Sequence, residues 1–295
     1  MTRVDIGSAT VQRIEESYLA AYDARTFFPD WDDAAAARHA AWLAPHHYDP
    51  ASGCLKLSIH SWLVTLGGRR ILIDTCVGNH KPRPARPRWN RMETPWLQRL
   101  AAAGVRPDEI DMVMCTHLHA DHVGWNTRLE NGRWVPTFAN ATYVFSRADY
   151  EHCARLDAGS AAGPVNHGSF RDSVLPVVEA GLARMVTGTV TLDDGLKIEP
   201  APGHTPGTVT IELESRGEQA LFCGDIVHHA IQIHHPEWNS FVCEDAEGAR
   251  RSRRAVLAHC AASGARLLPC HMGAPFTCRI DHKGDGFLTR FEGDF

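Results

Sequence analysis

The sequence lacks the features that mark membrane-bound, exported or nucleic-acid-binding chains. No window approaches 18 uninterrupted apolar residues, and the first residues show neither the apolar core nor the cleavage site of a signal peptide. The formal net charge is -5 with both signs interspersed, so the chain offers no basic surface to nucleic acid. We therefore expect a cytoplasmic protein with neither a membrane nor a nucleic-acid partner.

Paired cysteines and linkers are missing as well. The nine cysteines include no CxxC pair and lie in otherwise apolar stretches, which predicts reduced thiols in the core. No Ser/Gly linker, charge block or repeat divides the chain. Because 44% of the 295 residues are hydrophobic, one large core can form, and we predict a single domain over residues 1–295.

What the chain does have is a dense cluster of histidines. His117, His119, Asp121 and His122 directly follow the apolar run 110–115, which predicts a buried strand. Alternate residues of an extended segment point the same way, so His117 and His119 can hold one metal ion while Asp121 and His122, past the bend, reach a second. A purely structural role is disfavoured, because crowded titratable groups are costly unless they are paired or metal-bound.

Three later motifs each place a further ligand at a strand end or in a turn. The segment PGHTPG (202–207) puts His204 in a turn, LFCGD (221–225) ends an apolar strand at Asp225, and LLPCH (267–271) ends another at His271. Taken in order, HxHxDH, GHTPG, GD and a late histidine resemble the metallo-β-lactamase superfamily of hydrolases. The motifs reach from Asp74 to His271, which is most of the chain.

The resemblance implies a fold and a set of metal ligands. Alternating strands and helices alone predict an α/β fold, whereas the resemblance implies a four-layer αββα sandwich. It assigns one ion to His117, His119 and His204 and a second to Asp121, His122 and His271, with Asp225 bridging; Asp225 and Asp121 are the expected catalytic residues. Imidazole and carboxylate ligands suit two divalent ions, zinc first. Asp74 is expected to stand behind a metal-bound imidazole, with a loop cap as the alternative.

The same resemblance implies hydrolysis. Two such ions bring the pKa of a bridging water near neutrality, and the hydroxide formed can attack carbon or phosphorus without a protein nucleophile. Residues 224–232 and 235–238 resemble most closely the methyl parathion hydrolase-like and lactonase-like branch. We therefore expect cleavage of an ester, lactone or aryl phosphotriester bond in a small, partly apolar substrate. Hydrolytic dehalogenation of an activated aromatic, or a redox or non-catalytic metal protein, are the alternatives.

The substrate pocket and the N-terminal arm are less well defined. Candidates to line the pocket, each of which also fits plain core, are Trp125, His228, Trp238, Phe241 and Phe276. One histidine of the run 228–235 could protonate the leaving group, whereas most of them are expected at the surface or behind the ligands. The lactonases that the chain resembles place a proton-donating tyrosine before the GHTPG motif, and no tyrosine follows Tyr150 here. Residues 1–50 are expected to form an arm that is a lid, a contact in a homodimer or ordinary packing. The basic residues of the irregular loop 77–91 are expected to be solvated.

Several elements follow from local patterns. The glycines 67 and 68 predict a hairpin turn between strands 55–66 and 70–74. Helices are predicted over 32–43, 94–103 and 246–262, and a last strand over 266–268.

Overall fold

The computed structural model describes residues 2–159, 165–192 and 195–292. It divides into two compact units: apart from the first two residues, unit 1 comprises Arg3–Glu16 and Ile59–Val190, and unit 2 comprises Ser17–Ser58 and Thr191–Phe295. That residues 1–295 form a single domain stays a prediction.

Strands and helices alternate along the described residues. The strands are β1 (Arg3–Ile6), β2 (Ala9–Asp23), β3 (Tyr48–Asp49), β4 (Cys54–Leu66), β5 (Arg69–Ile73), β6 (Met112–Met114), β7 (Thr127–Glu130), β8 (Arg133–Pro136), β9 (Thr142–Ser146), β10 (Ala183–Val186), β11 (Val190–Thr191), β12 (Leu196–Pro200), β13 (Val209–Ser215), β14 (Glu218–Gly224), β15 (Arg266–Pro269), β16 (Arg279–Lys283) and β17 (Gly286–Arg290). The helices are α1 (Ala24–Phe27), α2 (Asp33–Arg38), α3 (Ala40–Leu43), α4 (Trp96–Ala102), α5 (Ala120–Val123), α6 (Arg147–Gly159), α7 (Leu175–Glu179), α8 (Ile231–His234) and α9 (Ala246–Ser263).

The main sheet of unit 1 brings the predicted ligand loop to a strand edge. Its strands follow the order β1-β2-β4-β5-β6-β9-β10. The predicted hairpin is confirmed, because β4 and β5 pair antiparallel around Gly67 and Gly68, both of positive φ. From β5 onward the strands run parallel, so the carboxyl ends of β5 and β6 lie side by side. Asp74 follows the first of these ends and the histidine cluster follows the second.

Unit 2 repeats this arrangement on a smaller sheet. The order is β11-β12-β13-β14-β15; β13 pairs antiparallel with β12 and with β14, and β14 pairs parallel with β15. Since β14 and β15 are parallel, their carboxyl ends are neighbours, and Asp225 and His271 follow them directly. Helix α9 buries Val256 and Leu257 in the core of this unit and ends at Gly264, whose φ is 73°.

The N-terminal arm packs into the core of unit 2. Phe27, Phe28 and Leu43 are buried with Leu57 and Trp238 in one hydrophobic cluster. This is the ordinary packing that the sequence allowed, and the lid and dimer contact stay predictions.

Two further expectations have outcomes here. The nine cysteines are free thiols, as predicted. Among the described residues, none of the helices combines the length and apolar character needed to cross a bilayer.

The prediction that the basic residues of loop 77–91 are solvated is wrong for two of them. Lys81 and Arg83 are fully buried. Arg83 binds the Asp172 carboxylate through both terminal nitrogens, at 2.5 and 2.8 Å, and Lys81 donates to Thr127 Oγ1 at 2.6 Å. The loop is thus anchored in the protein by buried, hydrogen-bonded charges.

Candidate metal centre

The four predicted ligands of unit 1 lie together after β6. The ring of His117 is 4.0 Å from that of His122 and 4.7 Å from that of His119, between centroids. His117 and His122 are buried, and His119 is half-buried. A ring nitrogen of His117 lies within 4.8 Å of a ring nitrogen of His119. A ring nitrogen of His122 likewise lies within 4.8 Å of a carboxylate oxygen of Asp121. Each pair is close enough to share an ion.

Asp74 lies behind His122, where it was expected. Its backbone is left-handed, with φ at 55°. One carboxylate oxygen accepts from the Thr116 amide at 2.8 Å, and the other lies 2.9 Å from His122 Nδ1. Because an ionised carboxylate only accepts, His122 Nδ1 carries the hydrogen and its Nε2 has the lone pair. That lone pair is what a metal ion needs.

Two buried carboxylates that no sequence pattern marks also support this region. Asp149 accepts from the Leu118 amide at 2.8 Å. Glu16 accepts from the amides of Val77 and Gly78, at 2.8 and 3.1 Å, and from the Trp125 indole at 2.8 Å. Burial raises the pKa of Glu16 to about 7, even though all three hydrogen bonds favour its ionised form. Both residues lie far from the motifs in sequence, so neither spacing nor composition indicates them.

The loop after β5 and the end of α5 meet backbone to backbone. A Cβ built on Gly124 would lie 1.8 Å from the Val77 carbonyl oxygen, and one on Gly78 would lie 2.7 Å from Gly124 C. The Gly124 amide donates to the Cys76 carbonyl at 2.7 Å. Only glycine permits this approach, which fixes the Asp74 loop against the histidine segment.

In unit 2 the Asp225 carboxylate is surrounded by three imidazoles. Its Oδ1 lies 3.0 Å from His271 Nε2, and its Oδ2 lies 3.3 Å from His204 Nε2 and 3.2 Å from His228 Nε2. All four side chains are buried. The structure therefore brings together the three predicted ligands of this unit and one of the predicted pocket residues.

The tautomer of His271 shows that this group fits a cation. Its Nδ1 lies 2.7 Å from the Ser58 carbonyl oxygen, which can only accept, so Nδ1 carries the hydrogen. In the neutral ring Nε2 then has a lone pair, and it faces a carboxylate oxygen at 3.0 Å. Two acceptors so placed repel each other unless a cation, either a metal ion or a proton, lies between them. Imidazole nitrogens and carboxylate oxygens are suitable ligands for Zn(II) and similar divalent ions.

The other pocket candidates are found in different surroundings. Trp125 lies in the core of unit 1, stacked on Trp96 at 5.4 Å. Trp238 is buried and stacks on His235 at 4.4 Å, and Phe276 packs edge-on against Tyr18 at 5.3 Å.

Phe241 and His228 both contact Phe27 of the N-terminal arm. The Phe27 ring lies 5.5 Å from that of His228 and 5.9 Å from that of Phe241. Phe241 is 46% exposed. An aromatic path therefore leads from Asp225 outward to solvent.

The remaining histidines of the run 228–235 bind the arm. His229 Nε2 donates to the His47 carbonyl oxygen at 2.8 Å, and His235 Nε2 lies 3.2 Å from His39 Nε2. The ring of Trp42 stacks on that of His234 at 4.9 Å. Their partners on the arm indicate a structural role.

The family is decided by a comparison with protein-family models. The model described as the metallo-beta-lactamase superfamily matches residues 55–271, which is more than half of the chain. The chain belongs to the metallo-β-lactamase superfamily. Its fold is accordingly the metallo-β-lactamase fold, a mixed α/β arrangement consistent with the predicted sandwich.

Relatives of this superfamily member are hydrolases by name. An N-acyl homoserine lactonase of Bacillus cereus is 25% identical over 120 residues, which are 40% of this chain and 39% of that protein. The matched segment thus spans about two fifths of the lactonase.

Solved structures agree in fold over nearly the whole chain. AidC, a dizinc quorum-quenching lactonase in complex with a product, has a TM-score of 0.79 and 21% identity, covering 99% of this chain and 97% of its own. The hydrolase AbOPH of the beta lactamase superfamily has a TM-score of 0.80 and 23% identity, covering 99% and 98%.

Proposed function

We propose that this protein is a dinuclear metal-dependent hydrolase that cleaves a lactone, ester or aryl phosphotriester bond in a small, partly apolar substrate. The observation that carries the proposal is the Asp225 carboxylate facing the Nε2 lone pair of His271 inside a buried ring of imidazoles. Membership of the superfamily and the lactonase relatives support it.

In this proposal the predicted ligands would hold two divalent ions, most suitably Zn(II). His117, His119 and His204 would hold the first ion, Asp121, His122 and His271 would hold the second, and Asp225 would be the shared ligand. When bound, the ions supply Lewis acidity and an activated water near neutral pH. Asp74 keeps His122 in the tautomer with a lone pair on Nε2, and the Ser58 carbonyl does the same for His271.

Side chains outside the ligand set have two tasks. His228 Nε2 lies 3.2 Å from Asp225 Oδ2, so a protonated His228 would direct this N–H toward Asp225 and could pass the proton to the leaving oxygen, which leaves a neutral imidazole. Phe27 and Phe241 extend from His228 as an apolar surface for the acyl or aryl part of the substrate. This surface favours substrates that carry an apolar group beside the bond to be cleaved.

The first test measures metal content together with turnover. We expect about two zinc ions per chain and turnover of at least one of a p-nitrophenyl ester, an acyl-homoserine lactone and an aryl phosphotriester. Asp225→Ala should abolish turnover and leave the circular dichroism spectrum unchanged. Asp281→Ala, which removes a carboxylate from the β16–β17 hairpin, is the control and should keep wild-type activity.

Other results would favour the alternatives. Halide release from a chlorinated aromatic would assign a dehalogenase, and bound iron without hydrolysis of any substrate would favour a redox protein. Full activity in Asp225→Ala would exclude Asp225 as the shared ligand. A homodimer and a cytoplasmic location stay predictions.

A further inference from the structure

The main chain on both sides of His119 is held by one side chain. Asn166 Nδ2 donates to the Leu118 carbonyl oxygen at 2.5 Å, and the Ala120 amide donates to Asn166 Oδ1 at 3.3 Å. The carboxamide therefore pairs with the residues before and after His119 as a neighbouring strand would. The Leu118 amide is bound separately by Asp149.

Asn166 is itself presented by a firmly bound segment. Its backbone is left-handed, with φ at 46° and ψ at 48°, a conformation that asparagine tolerates better than most residues. The next carbonyl, that of His167, accepts from Arg83 at 3.1 Å, and Arg86 Nε lies 3.2 Å from His167 Nε2. Arg83 is fixed in turn by its buried pairing with Asp172.

His119 depends on such support more than its neighbours do. His117 and His122 are buried, and packing restricts their rings, whereas His119 is half-buried. It also lies at the residue that precedes α5, where the chain changes from extended to helical and φ and ψ are −69° and 159°. The main chain on either side therefore contributes to the direction of its side chain.

We propose that Asn166 is a positioning residue for His119, which aims this imidazole at its metal ion by fixing residues 118–120. The inference rests on the proposed function, because it takes His119 as a ligand. It adds a residue outside the family motifs, and it links metal affinity to the segment that Arg83 anchors.

The test is a matched pair of glycine variants. Asn131, at the exposed turn between β7 and β8, is also left-handed, with φ at 50°. Glycine accepts this backbone at both positions, so Asn166→Gly and Asn131→Gly each remove a carboxamide without adding strain. Metal-free protein is titrated with Co(II), followed by its visible absorption spectrum and by competition with a chelator.

We expect Asn166→Gly to weaken binding of one ion by about tenfold to a hundredfold and to alter the Co(II) spectrum, since loss of such supporting contacts has effects of this size. Asn131→Gly should match the wild type. Wild-type affinity and spectrum in Asn166→Gly would overturn the proposal. A wild-type protein that binds no metal would instead contradict the proposed function.

A second variant separates the effect of the His119 position from the effect of charge on metal binding. It also replaces the glycine variant if that variant does not fold. Asn166→Asp keeps the acceptor for the Ala120 amide but turns an oxygen toward the Leu118 carbonyl. Added negative charge by itself would tighten cation binding, whereas a misdirected His119 would weaken it. Weaker Co(II) binding is the expected result, and equal or tighter binding would refute the positioning role.

Discussion

The histidines of the candidate centre are distinguished by what their Nδ1 atoms contact. Nδ1 of His122 donates to Asp74, and that of His271 donates to Ser58, so both rings present Nε2 lone pairs. His229 is different, because its Nδ1 accepts from the Ile231 amide at 3.2 Å while its Nε2 donates to His47. Both nitrogens of His229 are used by the neutral ring within the protein, and none is left for a metal.

His229 should make the protein sensitive to acid. Burial lowers the pKa of His229 from 6.5 to about 4, so the folded state resists a proton that the unfolded chain takes up. Its contribution to stability is therefore complete above pH 6.5 and is lost as the pH falls toward 4, by about 3 kcal/mol in total. His229→Gln should flatten the decline in unfolding free energy over this range, measured by urea denaturation at several pH values.

The control for this prediction is the exposed His282. His282→Gln should leave the pH dependence of the unfolding free energy as it is in the wild type. If His229→Gln loses stability between pH 6.5 and 4 as steeply as the wild type, His229 does not carry the effect.

For individual residues, the sequence predicted those that belong to the motifs and few others. Spacing indicated the residues of the HxHxDH cluster, and the resemblance added His204, Asp225, His271 and Asp74. The structure brings these together within each unit, while their roles as ligands stay predictions. Glu16 and Asp149 could not be predicted, because their contacts join residues that are 61 and 31 positions apart in the chain.

Among the elements, the loop between β5 and α4 departs most from expectation. Its prolines and basic residues suggested a solvated segment, but a local pattern contains no information about Asp172, 89 residues further on. That partner makes burial of Arg83 possible, since a buried charge is tolerated when it is paired and hydrogen-bonded.

Arg83→Met should therefore destabilise the protein strongly. Without Arg83, the buried Asp172 carboxylate keeps one cationic partner among the described contacts. This partner is Lys81, whose Nζ lies 3.6 Å away. We expect a loss of about 3 to 5 kcal/mol in unfolding free energy, the usual effect of removing one partner of a buried pair. Urea denaturation measures the change.

Arg106→Met is the control, because Arg106 pairs with Asp108 on the surface. It should leave the unfolding free energy close to that of the wild type, because solvent screens an exposed pair. Equal losses in the two variants would mean that the buried pairing does not anchor the loop.

Other elements were predicted well where the signal was local. The hairpin at Gly67 and Gly68 and helix α9 lie within a residue or two of the predicted bounds. The helix predicted over 32–43 is divided at His39, whose φ and ψ are −105° and 4°. The β16–β17 hairpin was not predicted, because its strands alternate too weakly between apolar and polar residues to stand out.

For the molecule as a whole, bound metal should contribute to stability. The proposed ligands are spread over residues 117–271 and come together only in the folded chain, so an ion that binds them stabilises that state. At a free zinc concentration of 100 times Kd the gain is about 2.7 kcal/mol. Removal of metal with a chelator should lower the melting temperature, and added zinc should restore it.

Asp225→Ala supplies the comparison for this experiment. Its melting temperature should respond less to zinc than that of the wild type. If chelation leaves the melting temperature of the wild type unchanged, bound metal does not contribute to the stability of the protein.

The fold of the whole chain became predictable only through the resemblance. Periodicity indicated strands and helices without an order of layers, because packing between sheets depends on contacts far apart in sequence. The motif set supplied the sandwich, and the match over residues 55–271 establishes the family.

The contact between Gly78 and Gly124 also limits how this chain can vary. Each position excludes a Cβ because of the backbone at the other, so a side chain at one cannot be relieved by a change at the other. A side chain cannot be introduced at either glycine one substitution at a time, even when nearby aromatic residues are replaced. Under the proposed function, new substrate preferences are therefore expected from pocket residues such as Phe27 and Phe241 rather than from this glycine pair.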